Sequence, residues 1–505
     1  MKKFALISVS DKRNIVEFAK ELNSLDYQIL ATGNTAKLLI DNKINCTEIR
    51  DFTSFPEIFS GRVKTLNPKI FGGILMRRDN PTDQKEASQN QISPIDIVCV
   101  NLYPFPQVVK RTDLDLNEKI ENIDIGGPSL IRASAKNYKH VSVLTKPEQY
   151  DEFLLELRGG EVSIQTHQKL AYEAFALTSY YDTLIANFFE TEFNQQKTDI
   201  RINHKAAFHL RYGENPHQKA YLFGDFDEYF EVLHGKELSY NNIVDLTAAV
   251  ELAHDLGSNS CAVIKHTNPC GAAMGKNVLD AYERALSCDP VSAFGGIVAF
   301  QDEVDEKTAE KLNEIFLEIV CAPSYSEKAL EILQTKKNRR LIKIKKAVNP
   351  DELQIKNVPG GILAQDKDNS VIDDTMLRLV TERKYTEQEL EDLKFAWIIC
   401  KHTKSNAIIY VKDKKAVGVG AGQMSRVDSA KIAAAKAKEF GHDLTNCVAA
   451  SDAFFPFADG LLEIVSHGAV AVIQPGGSVR DEEVIKAANE KNISMIFTGI
   501  RNFKH

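Results

Sequence analysis

The chain has 505 residues, too many for one ordinary hydrophobic core, and a typical domain size of roughly 150 residues suggests about three domains. Hydrophobic residues make up 43% and charged residues 26%, and no uncharged apolar run reaches the roughly 18 residues needed to span a bilayer, which excludes a membrane protein. The formal net charge of −8 gives no basic field for nucleic acid, so local cations must bind any anionic substrate.

The eight cysteines show neither a C-x-x-C pair nor the clustered spacing of a disulfide framework or a structural zinc site. We therefore expect reduced, mostly buried thiols and no structural zinc site. The N-terminal MKKFALISVSDKRN lacks the cleavage pattern of a signal peptide. It predicts the first strand of a cytoplasmic protein.

The first 150 residues or so alternate short apolar runs with amphipathic segments. FALISVS, YQILATG, DIVCVNLYPF and HVSVLT predict strands, and NIVEFAKELNSL has helical spacing. This alternation predicts a parallel α/β sheet. The polar clusters SVSDK, ATGNT and NLYPF follow the strands, at the edge where such sheets bind ligands.

GRVKTLNPKIFGGIL, residues 61–75, places two cations one residue apart. On a predicted extended segment, Arg62 and Lys64 share a face, which suits a phosphate or, equally, solvent.

ENIDIGGPSLIRASAKNYKH, residues 121–140, predicts a strand, a glycine turn and a helix that begins near Pro128. Lys136 in this helix is either a surface lysine or a proton carrier close to Asp124.

A helix predicted over residues 167–190 precedes a polar segment, and apolar periodicity stops near residue 200. Beyond it, CAVIKH, GGIVAF and RLIKIKK predict further strands. Another polar stretch at 365–375 leads to the predicted helix TEQELEDLKFAWIICKH. We therefore predict domains over residues 1–200, 201–370 and 371–505.

A basic run, KKNRRLIKIKK at 336–346, has alternating apolar positions and no aromatic residue. Nucleic-acid grooves usually add aromatic stacking platforms, so a solvated strand face is the favoured interpretation.

The tripeptide KHT occurs at 265–267 and at 401–403, each time after an apolar run. Glycine-rich strand connections, SAFGGIVAF and VGVGAGQMS, follow in each half. A duplicated domain is therefore favoured over coincidence.

In the first copy, CAVIKHTNPCGAA, a turn at a strand end can bring Lys265 and His266 into one cleft. The histidine could accept a proton from an attacking amine, and the ammonium could stabilise developing negative charge. The alternative is a surface lysine beside a hydrogen-bonded histidine. Ala273 stands where a zinc deaminase signature needs its second cysteine, so no zinc site is predicted.

Three later segments suit binding loops. LRYGENPHQKA, residues 210–220, has a binding-loop composition. IQPGGSVRDEEVI, residues 473–485, could bind an anion at its glycine turn or simply cap a helix. The aromatics of SDAFFPFADG, residues 451–460, could stack on a heterocycle or belong to a core.

Together these segments resemble a known family, the bifunctional AICAR formyltransferase/IMP cyclohydrolases of de novo purine biosynthesis. The resemblance covers the chain from residue 8 to its last residue and rests on SVSDK, GRVKTLNP, NLYPF, IDIGGPSLIRASAKN, LRYGENPHQ, KHTNPCGAA, DPVSAFGGIVA, GVGAGQMSR, SDAFFPFADG, IQPGGSVRD and TGIRNFKH. It implies a methylglyoxal-synthase-like N-terminal domain. It also implies a formyltransferase region of two duplicated cytidine-deaminase-like α/β subdomains, without zinc, in a homodimer.

The resemblance implies that 10-formyltetrahydrofolate donates a formyl group to AICAR, and that the product FAICAR closes to IMP. For formyl transfer it assigns His266 as proton acceptor and Lys265 as its cationic partner. The implied AICAR contacts are Arg211, Tyr212, Gly295, Glu318, Asn406, Phe454, Asp459, Ser478 and Arg501, with Arg426 and Val427 on the folate side.

For cyclisation the resemblance assigns Lys136 as proton shuttle, with Lys64, Tyr103 and Asp124 nearby. The implied nucleotide contacts are Ser10, Asp11, Lys12, Thr32, Gly33, Asn34, Thr35, Arg62, Thr65, Asn101, Gly126 and Gly127. Asn502 and Ala458 depart from the family's common His and Arg, which bears on affinity. The alternative function is a nucleotide-sensing regulatory module without catalysis, because the N-terminal fold also serves in ligand sensing.

Overall fold

The computed structural model describes residues 2–196, 199–204, 206–348 and 351–505. The chain divides into two compact units, Met1–Asn203 and His204–His505. Residues 197, 198 and 205 of the predicted polar boundary segment lie outside the described residues. Among those described, no helix has the length and apolar character to cross a membrane. All eight cysteines are free and six are buried, which confirms the prediction for the thiols.

The first unit is built on a five-stranded sheet in which every pairing is parallel. Its strands are β1 Lys3–Ser8, β2 Tyr27–Ala31, β3 Cys46–Glu48, β4 Ile97–Val100 and β5 Ser142–Leu144. They lie in the order β3-β2-β1-β4-β5. Strands β2 and β3 lie on one side of β1, and β4 and β5 lie on the other. At such a change in strand order, the loops after β1, β2 and β4 meet at one crevice. The predicted parallel α/β sheet is confirmed.

Helices alternate with these strands and cover the sheet. They are α1 Ile15–Ser24, α2 Gly33–Asp41, α3 Ile49–Thr53, α4 Pro68–Leu75, α5 Pro81–Gln89, α6 Phe105–Val109, α7 Leu116–Glu121, α8 Gly126–Lys136, α9 Tyr150–Arg158 and α10 Ile164–Glu192. Helix α10 contains the helix predicted over residues 167–190. Buried residues of the strands and of α1, α2, α4, α8 and α10 form one core.

Two local predictions in this unit are wrong. Residues 61–67, predicted to be extended, form a turn with one isolated bridge between Ile58 and Val63. Residues 123–125, predicted to be a strand, form an irregular connection between α7 and α8. A strand needs a neighbour with free backbone groups. Here the backbone bonds go instead to a turn, from Gly61 to Ile58, and to a side-chain carboxylate, from Gly127 to Asp124.

The second unit contains a twelve-stranded mixed sheet and two separate hairpins. Its strands are β6 Ala206–Leu210, β7 Ala220–Phe223, β8 Phe230–His234, β9 Ser260–Lys265, β10 Asn268–Met274, β11 Ile297–Phe300, β12 Ile319–Ala322, β13 Arg340–Ile344, β14 Leu353–Val358, β15 Gly361–Asp366, β16 Arg378–Leu379, β17 Ile408–Lys412, β18 Lys415–Gly420, β19 Cys447–Ser451, β20 Ala469–Gln474 and β21 Ser494–Phe497. The sheet has the order β16-β21-β20-β19-β17-β18-β10-β9-β11-β12-β13-β8, and the separate pairs are β6–β7 and β14–β15.

Helices pack on this sheet between the strands. They are α11 Phe226–Tyr229, α12 Tyr240–Leu256, α13 Val278–Leu286, α14 Pro290–Ala293, α15 Glu306–Leu312, α16 Glu327–Gln334, α17 Glu387–Lys401, α18 Arg426–Glu439, α19 Ala458–Ser466 and α20 Asp481–Glu490. Helices α12 and α17 share one core beneath the sheet. Each helix begins with a capping box, at Ser239 in α12 and at Thr386 in α17. In each box, the side chain of the first residue accepts the backbone N–H of the residue three positions later, whose side chain accepts the first residue's N–H.

The large sheet consists of two copies of one arrangement. In the first copy, β8 and α12 precede the hairpin β9–β10 and the parallel strands β11 to β13. In the second, β16 and α17 precede the hairpin β17–β18 and the parallel strands β19 to β21. The copies join where β10 pairs antiparallel with β18, at Ala273 and Lys415. The predicted duplicated α/β fold is confirmed.

The two KHT tripeptides do not occupy matching places in these copies. Lys265 ends the strand β9, whereas Lys401 ends the helix α17. The turn that corresponds to His266 and Thr267 in the second copy is Asp413–Lys414, between β17 and β18. The repeat is therefore real, but the tripeptide that first suggested it recurs by coincidence.

The prediction of a solvated strand face over residues 336–346 is wrong for its central residues. β13 is an inner strand of the sheet, between β12 and β8, and Arg339 and Arg340 are buried. Their guanidinium groups donate to backbone carbonyls and to polar side chains, which compensates for the loss of water. Charge patterning alone could not distinguish such paired cations from exposed ones.

Candidate active sites

In the first unit, Asn101 fixes the loop that follows β1. Its Oδ1 accepts the backbone N–H groups of Ser10 and Asp11 at 2.5 and 2.9 Å, and its Nδ2 donates to the Asp11 carbonyl at 3.0 Å. Asn101 itself follows β4, the neighbour of β1 in the sheet. The structure therefore brings the predicted residues after β1 and after β4 together.

Residues that begin α2 complete this side of the crevice. The Thr35 hydroxyl lies 3.2 Å from the Lys12 Nζ, which also donates to the Val9 carbonyl at 2.8 Å. Thr32 exchanges a hydrogen bond with Ser8 at 2.9 Å. Burial lowers the pKa of Lys12. Gly33 and Asn34 form the first turn of α2, whose unpaired N–H groups favour an anion.

The turn at 61–67 extends the site towards α2 and α8. A Cβ on Gly33 would lie 3.8 Å from the Lys64 Nζ, and a Cβ on Gly126 would lie 3.0 Å from the Thr65 hydroxyl. Lys64 lies 3.7 Å from the carboxylate of Glu57. Arg62, by contrast, is mostly exposed and lies 3.5 Å from Glu121. The turn thus adds one cation, Lys64, and the Thr65 hydroxyl to the crevice.

Asp124 precedes α8 and is held from several directions. Its backbone N–H donates to the Tyr181 hydroxyl at 2.8 Å, and its Oδ1 accepts the Gly127 N–H at 2.8 Å. Burial raises the pKa of Asp124, although the N–H groups of Gly127 and Gly126 act in the opposite direction. Tyr103, which follows β4 in sequence, leaves 56% of its surface exposed. A raised pKa makes the carboxyl a better proton acceptor than an ordinary aspartate.

The structure places Lys136 at the far end of α8 from Asp124 and exposed, in agreement with the surface-lysine alternative. Asp124 precedes the first turn of α8, whereas Lys136 is its last residue and is exposed. At a rise of about 1.5 Å per residue, the backbones of Gly126 and Lys136 are about 15 Å apart. Residues that are close in sequence can therefore be far apart in space when a helix separates them. The catalytic role of Lys136 stays a prediction.

In the second unit, Lys265 and His266 lie where the hairpin β9–β10 turns. Lys265 pairs with Asn268, so His266 and Thr267 are the two turn residues. The side chain of Lys265 is half-buried and its Nζ donates to the Phe294 carbonyl at 2.8 Å, whereas His266 is exposed. The turn therefore presents the imidazole to solvent and holds the ammonium against the neighbouring loop.

That neighbouring loop requires glycine at Gly295. The residue has φ 69°, and an added Cβ would lie 3.1 Å from the Lys265 Nζ. Gly295 also donates its N–H to the Phe316 carbonyl at 2.8 Å, which ties the start of β11 to the start of β12. Glu318 precedes β12, and its carboxylate accepts a 2.7 Å bond from Arg340. Lys265, Gly295 and Glu318 thus share one edge of the sheet.

The second copy contributes to the same edge. The pairing of β17 with β18 and β19 places Asn406, Arg426 and Ser451 at the edge where β9 ends. Asn406 donates its Nδ2 to the Gln423 carbonyl at 2.8 Å, and its own carbonyl accepts the Ser429 hydroxyl at 2.7 Å.

Arg426 is tied to the buried carboxylate of Asp452 at 3.2 Å and to the Ser451 hydroxyl at 3.2 Å. Val427 follows it on α18. The two copies also touch directly, because the Lys404 N–H donates to Asn268 Oδ1 at 2.9 Å.

The carboxyl ends of β19, β20 and β21 lead to the remaining predicted contacts on this edge. Phe454 follows β19 and is 36% exposed, and Asp459 lies in the first turn of α19, where its carboxylate accepts the Gly460 N–H. Ser478 follows β20 and Arg501 follows β21. Arg211 and Tyr212 instead follow β6 of a separate hairpin, and the Arg211 guanidinium stacks on the Tyr212 ring at 4.9 Å.

Arg501 lines a cavity of about 1250 Å³ that is rich in cations. Other lining residues include Lys367, Lys401 and Lys504, of which Lys367 pairs with Glu251. Burial lowers the pKa of Lys504. Such a lining suits an anionic group of a ligand. Among the described residues, no cluster of His, Cys, Asp and Glu is arranged to hold a metal ion.

The second KHT, residues 401–403, has a structural role. The buried His402 bonds through Nε2 to the Asp255 carboxylate at 2.8 Å, and Lys401 lies 3.1 Å from the same oxygen. Burial lowers the pKa of His402 against the opposing effect of Asp255. Burial would raise the pKa of Asp255, but His402 and Lys401 together lower it to about 2. His402 is a buried hydrogen-bond partner of Asp255 rather than an exposed base.

Comparison with known proteins agrees with this architecture. A family described as the AICARFT/IMPCHase bienzyme matches residues 134–436, and one described as an MGS-like domain matches residues 14–129. The first of these covers more than half of the chain. This chain belongs to the AICARFT/IMPCHase bienzyme family. The earlier resemblance is thereby confirmed.

Curated relatives extend the match over the whole length. The bifunctional purine biosynthesis protein PurH of Persephonella marina is 49% identical, with 99% of each chain covered. The PurH protein of Bacillus cereus strain B4264 is 48% identical over 100% of both chains. A crystal structure described as ForH is 38% identical over 37% of this chain and 96% of its own, at a TM-score of 0.35. The chain is therefore a bifunctional enzyme of purine biosynthesis, and a regulatory module without catalysis is not supported.

Several residues that shape the bienzyme's candidate sites were not predicted. Arg340 binds Glu318, Asp452 binds Arg426, and Asp245 accepts the Thr267 N–H at 2.7 Å. Asp452 belongs to the segment SDAFFPFADG, whose aromatic residues carry the prediction. Arg340 was hidden in a run read as solvated. Asp245 lies mid-helix, and no sequence signal marks its contact.

Proposed function

We propose that residues 1–200 form the IMP cyclohydrolase and that residues 201–370 and 371–505 form the two cytidine-deaminase-like subdomains of the AICAR formyltransferase. The supporting observation for the second assignment is the shared sheet edge. One copy supplies Lys265 and His266 to it, and the other supplies Asn406 and Arg426. Neither copy alone carries both sets.

In formyl transfer, the 5-amino group of AICAR attacks the formyl carbon of 10-formyltetrahydrofolate. His266 accepts the proton that the amine loses, and Lys265 stabilises the negative oxygen of the tetrahedral intermediate. The bond from carbon to folate nitrogen then breaks, that nitrogen takes a proton, and tetrahydrofolate leaves with FAICAR bound. A ring amine is a weak nucleophile, which is why a placed base and an oxyanion partner matter.

In cyclisation, the carboxamide nitrogen of FAICAR attacks the formamide carbon and water leaves. We assign Asp124, Lys64, Tyr103 and Lys136 to the proton transfers, and the crevice after β1, β2 and β4 to the nucleotide. Support comes from the contacts of Asn101 with Ser10 and Asp11, and from the raised pKa of Asp124.

We also propose that the enzyme works in the cytoplasm as a homodimer, with 10-formyltetrahydrofolate as cosubstrate and no catalytic metal. The dimer and the folate rest on the family resemblance. The cytoplasmic location rests on the free, mostly buried thiols.

The deciding experiment measures IMP formation from AICAR and 10-formyltetrahydrofolate without added metal, and FAICAR cyclisation separately. His266→Ala should lower formyl transfer by a factor of about 100 to 10,000 and leave cyclisation intact. His467→Ala, whose ring contacts Glu463 on α19, is the matched control and should keep both activities. Loss of both activities in a folded His266→Ala protein would contradict the two-site assignment.

A further inference from the structure

The hairpin turn that carries His266 has an unusual backbone. His266 and Thr267 both have positive φ, 51° and 63°. Two-residue hairpin turns of this kind normally use asparagine, aspartate and glycine, because positive φ brings Cβ against the backbone. A β-branched residue such as threonine is a real outlier there. Something outside the turn must therefore hold it in place.

The strongest external contact comes from Asp245 on α12. Its carboxylate accepts the Thr267 N–H at 2.7 Å. The helix is well anchored, because Leu246, Ala249 and Val250 next to Asp245 are buried in the shared core. An ionised acceptor strengthens the bond to an amide donor. Asp245 thus connects a fixed helix to the strained turn.

The second copy of the fold contains the same device. His402 follows Asp255 by 147 residues, and at that same separation Asp392 corresponds to Asp245 and Lys414 to Thr267. Asp392 accepts the N–H groups of Asp413 and Lys414 at 2.8 and 2.7 Å. Asp413 and Lys414 also have positive φ, 55° and 52°. A helix carboxylate therefore fixes the hairpin turn in both copies, but only one turn carries the Lys–His pair.

We propose that Asp245 is a positioning residue for formyl transfer, which holds the His266–Thr267 turn in its positive-φ conformation. The inference rests on the proposed role of His266 as the proton acceptor. Without the bond from Thr267, the turn relaxes towards ordinary backbone angles and His266 leaves its place beside Lys265. A displacement of about 1 Å in a reacting group can cost about 100-fold in rate.

The test compares Asp245→Ala with the wild type in the full-length enzyme, with kcat and KM for AICAR measured separately. We expect kcat for formyl transfer to fall about 10- to 100-fold, KM to change less than about 3-fold, and FAICAR cyclisation to stay unchanged. Asp392→Ala is the matched control, because it removes the same bond from the turn at the other edge of the sheet. It should leave formyl transfer within about 2-fold of wild type.

A rescue variant separates positioning from general destabilisation. Thr267→Gly added to Asp245→Ala should recover at least about 5-fold of the lost kcat, because glycine adopts positive φ without steric cost. Failure of this rescue, or an equal loss in Asp392→Ala, would overturn the positioning role. The positioning role is also overturned if Asp245→Ala keeps the wild-type kcat while His266→Ala is inactive. If His266→Ala itself keeps formyl transfer, the proposed function fails instead.

Discussion

His402 and Asp255 occupy corresponding ends of α17 and α12, 147 residues apart, and their side chains meet at 2.8 Å. The contact joins the two copies of the fold across their internal symmetry. The ammonium of Lys401 also donates to the Asp255 carboxylate, at 3.1 Å, and Lys504 donates to the His402 carbonyl at 3.3 Å. The cluster is buried on the His402 side, so its protonation is linked to folding.

This cluster predicts a pH-dependent stability with a definite sign. The pKa of His402 is lowered in the folded chain, so the unfolded chain binds the additional proton as pH falls below its ordinary value near 6.5. The lowered pKa of Asp255 adds a further loss as pH falls from about 4 towards 2. Urea unfolding should therefore give a lower free energy of unfolding at pH 5.5 than at pH 7. The difference in unfolding free energy between pH 7 and pH 5.5 should be smaller in His402→Asn than in the wild type, and unchanged in His467→Asn. An equal difference in all three proteins would contradict the link between His402 protonation and folding.

Arg340 predicts a binding effect at the sheet edge that we propose for formyl transfer. Its guanidinium joins the Glu237 carbonyl to the Glu318 carboxylate, a geometry that lysine cannot reproduce. We expect Arg340→Lys to raise the KM for AICAR about 10-fold with little change in kcat, because Glu318 is a predicted ligand contact. Steady-state kinetics check this, with Lys346→Ala as an exposed control near the end of the same strand. A lower kcat with an unchanged KM would contradict the assignment of Glu318.

Gly127→Ala should damage cyclisation alone. An added Cβ would lie 2.3 Å from the Asp124 Oδ2 and 2.8 Å from the Leu102 side chain, so Asp124 must move. We expect at least a 10-fold loss of FAICAR cyclisation at about the same formyl-transfer rate. Ser129→Ala, in the same turn of α8, is the control. Full cyclisation by Gly127→Ala would argue against Asp124 as a proton-transfer group.

Lys136 offers a test of the remaining family assignment. Lys136→Ala should lower FAICAR cyclisation by a factor of about 100 or more if the ammonium transfers a proton. Lys139→Ala, an exposed lysine three residues later, should have no effect. Rates of cyclisation and the circular dichroism spectrum are measured together. An active Lys136→Ala enzyme would leave Asp124 and Lys64 as the proton carriers.

The domain assignment predicts an active fragment. Residues 1–203 contain their own sheet and core, so we expect them to fold and to cyclise FAICAR without the rest of the chain. Thermal unfolding and a cyclisation assay check the two statements in turn. A folded but inert fragment would show that cyclisation needs residues beyond position 203.

Short-range patterns predicted many of the strands and helices, because the strand in FALISVS and the helix at 167–190 are each visible in the local spacing of apolar residues. Features that depend on distant partners escaped. The charge pattern around Arg340 predicted a solvated strand face, because a local pattern does not show that β8 and β12 lie on either side of the strand. The sequence left open whether Lys136 lies near Asp124, and the length of α8 separates the two. The KHT match suggested the right duplication through the wrong residues. Asp245 could not be found, because a mid-helix carboxylate has no local sign of its distant N–H partner.

The Asp413–Lys414 turn at the far edge of the sheet has a consequence for how this chain can change. It keeps the carboxylate-held backbone of the active turn without a residue pair for chemistry. Under the proposed role of His266 as proton acceptor, substitutions at His266 must preserve both the turn and the base, whereas substitutions at Asp413 and Lys414 must preserve only the turn. The same carboxylate-held turn can therefore serve either as a structural connection or as a support for a proposed base, depending on the two residues at its tip.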